Sequence, residues 1–434
     1  MKNAKTFLLL FLFIVETNFA QWIEQQSGVT VRFDDVCFVD SLHGWAKYSG
    51  GTVFATTDGG NKWEVQLQNA QFMTRIEFYN QKLGFISMAS GIIAKTEDGG
   101  KSWKYISTGF PHRLTDIYFV NTDSIWVTGR SEVGIILLSS DGGENWIKKF
   151  EIPSTDSTMD NFTAITFFDK KNGWVLAEDF CFDYCVPATI YGTTDGGENW
   201  EFFSDTIVDF YGRDSTEINV SFDLFVQPDG ILWAWGIDGL IKSTDFGRNW
   251  ILPDQTPRMT VSDFCFVNSN LIFFAQGLGG NGIYYSEDSG VSWTKCNTST
   301  MPILRALSSG GNKIWAVGNN GRIFYKTDIF SDVEDVEREE LSFNLSQNYP
   351  NPFNPSTIIK YSIPYVETQH AASKSVRLNV FDILGREIQT FVNAPMSAGE
   401  HEVTFNGSVL PSGMYFYSIQ TENFTDTKKM VLIK

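Results

Sequence analysis

The sequence predicts an all-β protein, a seven-bladed β-propeller followed by a small Ig-like β-sandwich domain. An eight-residue phrase of the form Ser/Thr-x-Asp-x-Gly-x-x-Trp occurs six times at intervals of 40 to 54 residues, and matching strand signals recur seven times. Repeats of this length with several strands each are typical of propellers. Aromatic residues make up 15% of the chain and charged residues 19%, and the 37 glycines suit many tight turns.

The repeated phrase has the chemistry of a hairpin turn. A short Asp side chain accepts hydrogen bonds from the amides that follow it, Gly adopts backbone angles that other residues avoid, and Trp covers the turn. We therefore interpret the phrase as structural and place it between the third and fourth strands of each blade. Its Asp and Trp residues are Asp58 and Trp63, Asp98 and Trp103, Asp141 and Trp146, Asp195 and Trp200, Asp245 and Trp250, and Asp288 and Trp293.

Residues 1–20 read as a signal peptide. Lys2 and Lys5 form a positive start, Phe7–Val15 is an apolar run too short to span a bilayer, and Ala20 precedes the predicted cleavage point. No other stretch of the sequence is long and apolar enough to cross a membrane.

The seventh repeat lacks its last strand. Gly321–Asp328 supplies the third strand of that repeat, but no Gly and no Trp follow Asp328. A spare segment headed by Trp begins at Trp22, and we predict that Trp22–Gln25 joins blade seven and closes the ring formed by residues 21–330. Such closure leaves no free sheet edge.

The composition of the sequence changes after the predicted propeller. Residues 331–343 are acidic and lack a repeat signature, which predicts an exposed linker. Residues 344–434 contain prolines near their start and then five alternating apolar and polar runs, which predict the Ig-like sandwich.

Charge and cysteine content restrict the partners. The formal net charge of −18 argues against nucleic acid. Cys37 and Cys265 occupy equivalent repeat positions and are expected to be buried free thiols, whereas Cys181 and Cys185 could close a small disulfide loop. The four scattered histidines predict no metal site, and we expect a monomer without a cofactor.

Two sets of residues are candidates for binding. Insertions near blade four emerge on the rim opposite the repeated phrase; they are either tolerated loops or a contact region. Arginines at the starts of inner strands in adjoining blades either converge on an anionic ligand at the channel mouth or pair locally, as Arg75 would with Glu77. The candidates are Phe180, Asp183, Tyr184, Tyr211 and Arg213 in the insertions, and Arg32, Arg75 and Arg305 at the strand starts.

The tail resembles the type A C-terminal sorting domain of the type IX secretion system of Bacteroidetes and related bacteria. The resemblance rests on NYPNPFNPST (348–357), VFDILGREI (380–388), LPSGMYFYSI (410–419) and the basic, apolar end KKMVLIK (428–434). It implies export through the periplasm to the outer-membrane surface or the medium, with the translocon as the partner of the tail.

The repeats resemble Asp-box (BNR) propellers, a superfamily that includes sialidases, xyloglucan-active hydrolases and a photosystem assembly-factor family. Because the shared residues build turns, the resemblance implies the fold and not an activity. Our main functional hypothesis is a binding module for an unknown glycan or protein ligand. The alternative is a glycoside hydrolase, for which Asp34, Asp116 and Asp263 are the candidate catalytic carboxylates.

Overall fold

The computed structural model describes residues 22–434 apart from 49, 71, 132, 153–159, 180–188, 205–222, 237–238, 254, 258, 269, 278–279, 297–300, 328, 330–343, 364–373, 397–398 and 422–423. The described residues form strands, turns and one short 3-10 turn, Asn319–Gly321, with no α-helix among them. The predicted all-β class is confirmed.

The described residues of the propeller form 27 strands. In chain order they are β1 (Ile23–Gln26), β2 (Asp35–Phe38), β3 (Gly44–Tyr48), β4 (Thr52–Thr56), β5 (Glu64–Leu67), β6 (Met73–Phe78), β7 (Gly84–Met88), β8 (Ile92–Thr96), β9 (Lys104–Ser107), β10 (Arg113–Phe119), β11 (Ile125–Arg130), β12 (Gly134–Ser139), β13 (Ile147–Glu151), β14 (Asp160–Phe167), β15 (Gly173–Asp179), β16 (Thr189–Thr193), β17 (Glu201–Ser204), β18 (Asp223–Val226), β19 (Leu232–Gly236), β20 (Gly239–Ser243), β21 (Val261–Phe266), β22 (Ile272–Gln276), β23 (Ile283–Ser286), β24 (Thr294–Lys295), β25 (Leu304–Gly310), β26 (Lys313–Gly318) and β27 (Arg322–Lys326).

These strands form seven antiparallel sheets arranged as blades. Blades one to six begin at β2, β6, β10, β14, β18 and β21, and each continues through consecutive strands; blade seven contains β25, β26, β27 and β1. In blade five a single bridge between Lys242 and Ile251 stands in the place of a fourth strand. The first strand of each blade is its inner strand, and inner strands of adjoining blades contact one another around a central channel.

Strand β1 completes blade seven from the far end of the sequence. It pairs antiparallel with β27, with Ile23 opposite Tyr325. The pairing is reinforced by a two-pronged ion pair between Arg322 and Glu24, with nitrogen–oxygen distances of 2.6 and 2.7 Å. Trp22 is buried and meets Phe273 of blade six edge-on at a centroid distance of 6.3 Å. The Trp-headed segment therefore supplies the strand that the seventh repeat lacks.

Aromatic side chains join each blade to the next. The Trp315 ring, in the second strand of blade seven, stacks on Phe38 of blade one with a centroid distance of 3.6 Å and an interplanar angle of 4°. Its indole N–H donates to the Gly59 carbonyl of blade one at 3.2 Å. Second-strand rings meet rings of the following blade at the other six seams as well: Trp45 with Phe78, Phe85 with Phe119, Trp126 with Phe167, Trp174 with Phe246, Trp233 with Phe264, and Phe273 with Trp22.

The repeated phrase forms a hydrogen-bonded turn, which we call the Asp turn. In the first copy the Thr56 hydroxyl donates to Asp58 Oδ1 at 2.9 Å and accepts from the Gly60 N–H at 2.8 Å. The same carboxylate oxygen accepts from the Lys62 N–H at 3.0 Å. Gly59 and Gly60 have φ angles of 74° and 91°, which explains the glycines. Equivalent bonds recur in the other five copies.

The C-terminal part consists of two sheets around one core. One sheet has the order β28-β29-β32 and the other β31-β30-β33-β34. Tyr417 lies in this core, and its hydroxyl donates to the Ser346 carbonyl and accepts from the Asn348 N–H, both at 2.7 Å. The Ig-like relationship of the strands stays a prediction. The strands are β28 (Asn344–Leu345), β29 (Ser356–Ile363), β30 (Lys374–Asp382), β31 (Glu387–Met396), β32 (Gly399–Asn406), β33 (Gly413–Gln420) and β34 (Thr425–Leu432).

The stability of the propeller should depend strongly on the aromatic contact between blades seven and one. Trp315 is fully buried, so Trp315→Ala should lower the free energy of unfolding of the propeller by about 3–5 kcal/mol through lost burial and an unfilled cavity. Trp315→Phe should cost less, because it keeps the stacking and loses the indole donor. Denaturant titration measures both changes.

The matched control is Ile147→Ala on an outer strand, where the side chain is 52% exposed. It should change the free energy of unfolding by at most about 0.5 kcal/mol. Equal losses for Trp315→Ala and Ile147→Ala would contradict a ring that depends on its aromatic seams.

Candidate functional site

The central channel is lined by acidic side chains and one arginine from the inner strands. The space between these side chains, together with the solvent at its open ends, measures about 760 Å³. Asp35, Arg75, Asp116, Asp223 and Asp263 stand at the same position of the inner strands of blades one, two, three, five and six. The channel is therefore a concentration of carboxylates, and its electrostatics depend on how each is paired.

Three of these aspartates hold adjoining blades together. Asp263 accepts from its own strand, with Oδ1 2.9 Å from the Phe264 nitrogen, and from the next blade, with Oδ2 2.6 Å from the Leu307 nitrogen. In the same way Asp35 reaches the Ile76 nitrogen and Asp116 the Ile165 nitrogen, each at 3.0 Å. These carboxylates satisfy main-chain donors that would otherwise be buried without a partner.

Arg75 forms ion pairs across the channel. Its Nε lies 3.4 Å from Asp116 Oδ1, and one terminal nitrogen lies 3.2 Å from Asp223 Oδ2. Burial alone would lower the pKa of the guanidinium, but the charges of Asp223, Asp35 and Asp116 outweigh that effect and raise it. Arg75 thus connects blade two to blades three and five.

Burial changes the protonation of the channel carboxylates. It raises the pKa of Asp263 to about 7, with the positive charge of Arg75 acting in the opposite direction. Burial also raises the pKa of Asp116 and of Asp223, again against the effect of Arg75. A proton can therefore be held in the channel at neutral pH.

A second cluster lies where the inner strands begin, on the face opposite the Asp turns; we call it the channel mouth and define it by Arg32, Asp34, Lys47, Arg113 and Arg305. Arg32 Nε contacts Asp34 Oδ1 at 2.5 Å. Arg305 Nε is buried and has no hydrogen-bond partner among the residues that the structure describes. Within the described part of the chain, the ion pairs of the mouth and channel involve Arg32 and Arg75 and leave Lys47, Arg113 and Arg305 without one.

The cations of the mouth are electrostatically costly. Burial lowers the pKa of Lys47, which is 3% exposed, while Asp35 and Asp34 oppose that shift. Burial and the charge of Arg32 lower the pKa of Arg305, and burial and Arg130 lower that of Arg113. The mouth therefore carries positive charge that its own carboxylates only partly balance.

The candidate residues predicted from the sequence lie in different parts of the structure. Arg32 and Arg305 lie together at the mouth, whereas Arg75 lies in the channel with Asp116 and Asp263; Asp34 is at the mouth. Cys37 and Cys265 are buried free thiols, as predicted. Phe180, Cys181, Asp183, Tyr184, Cys185, Tyr211 and Arg213 lie outside the described residues.

Sequence reasoning missed Lys47 and Asp223. Lys47 stands where the second strands of the other blades have Ser, Thr, Leu, Trp, Ala and Val, so comparison of the repeats would have marked it. Asp223 is in register with the other channel aspartates. In the described residues no cluster of His, Cys, Asp and Glu has the form of a metal site, and no helix has the length and apolar character of a membrane span.

Two family models match the chain. Residues 347–434 match the secretion system C-terminal sorting domain, which directs export to the cell surface or the medium. Residues 14–111 and 106–184 match the photosynthesis system II assembly factor YCF48 model. The chain thus combines an Asp-box propeller, part of which matches the YCF48 model, with a type IX sorting domain.

Individual relatives agree with this assignment. The chain is 27% identical over 150 residues to photosystem II assembly lipoprotein Ycf48 of Synechococcus sp. (strain CC9902), covering 33% of this chain and 41% of the relative. It is 25% identical over 301 residues to a probable oligoxyloglucan-reducing end-specific xyloglucanase of Neosartorya fischeri, covering 64% of this chain and 30% of that protein. The chain thus spans less than half the length of either relative.

A solved structure supports the fold. The structure titled "YCF48 bound to D1 peptide" aligns with a TM-score of 0.53 and 20% identity over 71% of this chain and 98% of that chain. At this identity the likeness shows the fold alone.

The raised pKa of Asp263 predicts a pH dependence of stability. Because its pKa is about 7 in the folded protein and near 3.8 when exposed, the folded state holds an extra proton between these values. This contribution to stability is full below about pH 4 and is lost as the pH rises through 7. Asp263→Asn should therefore gain stability relative to wild type as the pH rises from 4 to 7, with a plateau above. Thermal melts across that range measure the difference. If the melting temperatures of the two proteins changed by the same amount between pH 4 and pH 7, the raised pKa of Asp263 would be contradicted.

Proposed function

We propose that the propeller is an exported binding module that takes an acidic peptide segment at the channel mouth. The ligand's carboxylates would face Lys47, Arg113 and Arg305. The C-terminal sorting domain delivers the propeller to the compartment in which that ligand is met.

The observation that carries the proposal is that Arg305 Nε is buried and finds no acceptor within the described part of the chain. A buried donor that lacks an acceptor costs about 1–3 kcal/mol. A ligand carboxylate at the mouth would remove this cost and add a charge-assisted hydrogen bond. Arg305 is therefore the residue on which we expect affinity to depend most.

Lys47 and Arg113 favour the same ligand chemistry. Both have pKa values lowered by burial, so their charged forms are destabilised in the unbound protein. An anion brought close to them would stabilise the charged forms. The buried cations destabilise the unbound protein, and an anion that neutralises them removes this effect. An acidic ligand should therefore bind more tightly than a neutral one.

The propeller relatives are consistent with a peptide. A YCF48 structure is titled as bound to a D1 peptide, so the same fold accommodates a peptide in that protein. The net charge of −18 on this chain would repel acidic segments in general, and the cations of the mouth offer them compensating charge.

The second candidate function is a glycoside hydrolase. It is favoured by the similarity to a probable xyloglucanase and by the proton that Asp263 retains near neutral pH. Against it, the Asp263 carboxylate accepts main-chain hydrogen bonds on both oxygens, and Asp116 is occupied by the Ile165 amide and Arg75. Both side chains therefore stabilise the fold through contacts that catalysis would have to break. For this reason we rank the hydrolase second.

Arg305→Gln should weaken the binding of a small acidic peptide. The probe is acetyl-Gly-Gly-Asp, titrated at low salt and followed by chemical-shift changes in NMR spectra. Loss of the guanidinium should raise Kd at least tenfold, which corresponds to about 1.4 kcal/mol. Higher salt should weaken wild-type binding, since the contacts are ionic.

The control is Lys101→Gln, which removes the same charge from an exposed residue of the second Asp turn. It should leave Kd within a factor of two. Failure of the peptide to bind wild type, or equal effects of both variants, would count against the proposal. Turnover of xyloglucan or sialoside substrates that is lost in Asp116→Asn or Asp263→Asn would instead favour the hydrolase.

Deletion of residues 345–434 should stop export. The truncated propeller should fold and accumulate in the periplasm, because the matched sorting domain is removed while all seven blades remain. Immunoblots of periplasm, cell surface and medium measure the distribution. A periplasmic reporter fused to residues 345–434 is the control and should reach the surface. Truncated protein at the surface would show that export does not need the tail.

A further inference from the structure

Phe72 is an exposed aromatic residue in a backbone conformation that L-residues avoid. Its φ angle is 67° and its side chain is 66% exposed. A positive φ is rare for a bulky residue because Cβ crowds the following carbonyl, and the conformation costs free energy that something must offset.

The backbone of this loop is fixed by a bond that any residue could make. The Phe72 carbonyl accepts from the Ala89 N–H at 2.9 Å. That contact explains the shape of the loop but not the choice of phenylalanine. Glycine or asparagine would adopt the same angle at a lower cost.

Phe246 provides a comparison within the same protein. It also has a positive φ, 60°, but its ring stacks on Trp174 at 6.0 Å and meets Phe168 edge-on at 5.7 Å. Packing thus offsets its strain. Among the described residues the Phe72 ring takes part in none of the aromatic pairs, and most of its surface is open to solvent.

The position of Phe72 connects it to the channel mouth. It immediately precedes β6, whose inner-strand neighbours are β2 and β10. Arg113 begins β10, and Arg32 and Asp34 lie just before β2. Because inner strands all start on the same face, Phe72 lies on the rim that carries Lys47, Arg113 and Arg305, opposite the Asp turns.

We infer that Phe72 is a hydrophobic anchor of the binding site, and that the ligand is a peptide segment carrying a large apolar side chain within a few residues of its carboxylate. This inference rests on the proposed function. A single extended peptide offers both groups at the spacing of adjoining strands, since each residue spans about 3.5 Å. Burial of the ligand's apolar side chain against Phe72 would increase affinity. That gain would explain why phenylalanine stands at a position where it strains the backbone.

The experiment compares peptides that differ only in the apolar residue. The probes are acetylated peptides ending in Asp, with Phe placed one, two or three residues before it and glycine elsewhere, each matched to the same peptide with Ala for Phe. For wild type, at least one spacing should bind about tenfold more tightly with Phe than with Ala. In Phe72→Gly that preference should fall to less than twofold, and the melting temperature should rise as the strain is relieved.

Phe246→Gly is the matched control, because it also replaces a phenylalanine of positive φ but lies on the opposite face. It should keep the tenfold preference for Phe, and its melting temperature should fall as the packing on Trp174 is lost. Variants that still melt cooperatively keep the comparison free of misfolding.

The outcomes separate the two proposals. Peptides that bind with dependence on Arg305 but without preference for Phe, or with a preference that survives Phe72→Gly, would overturn the anchor and leave the proposed function standing. No peptide binding at all would overturn both. Binding of an oligogalacturonate probe that is lost in Phe72→Gly, with no peptide preference, would replace the peptide by an acidic saccharide.

Discussion

The contact between a second-strand aromatic ring and the next blade is the interaction on which the rest of the structure depends. A four-stranded blade cannot bury both of its faces by itself, so its stability comes from its neighbours. Aromatic pairs add about 0.5–1.5 kcal/mol beyond the area they bury, and this contact recurs at all seven seams. The indole donor of Trp315 reaches into an Asp turn, so the turn and the seam support each other.

Much of the fold could be predicted because it is specified by local chemistry. The Asp turns need only residues within eight positions, and the absence of Trp after Asp328 pointed to Trp22 as a replacement. The site was harder to predict because its contacts run between blades. Arg75 was expected either at the mouth or paired with Glu77, but its ion pairs reach Asp116 and Asp223, far away in the sequence. The positive φ of Phe72 left no signal at all, because it follows from the loop and not from residue type.

Aspartate has different roles in the Asp turns and in the central channel. In the Asp turns the carboxylates are near solvent and accept hydrogen bonds, and bonds from Ser102 lower the pKa of Asp98 to about 2. In the channel burial reverses the direction of the shift. An aspartate in an Asp-box propeller is therefore informative about chemistry only after its neighbours are known. The carboxylates of the Asp turns hold those turns in shape, whereas Asp35, Asp116 and Asp263 join adjoining blades.

The pairing of β1 with β27 has a consequence for the order in which the chain matures. β1 precedes all other propeller strands in the sequence and its partner β27 follows them, so the ring stays open until every repeat has been synthesised. A contact between such distant parts of a chain forms slowly, because the intervening loop must be closed before the contact stabilises it. Closure of the ring by β1 and β27 is therefore the last step that we expect in assembly of the propeller.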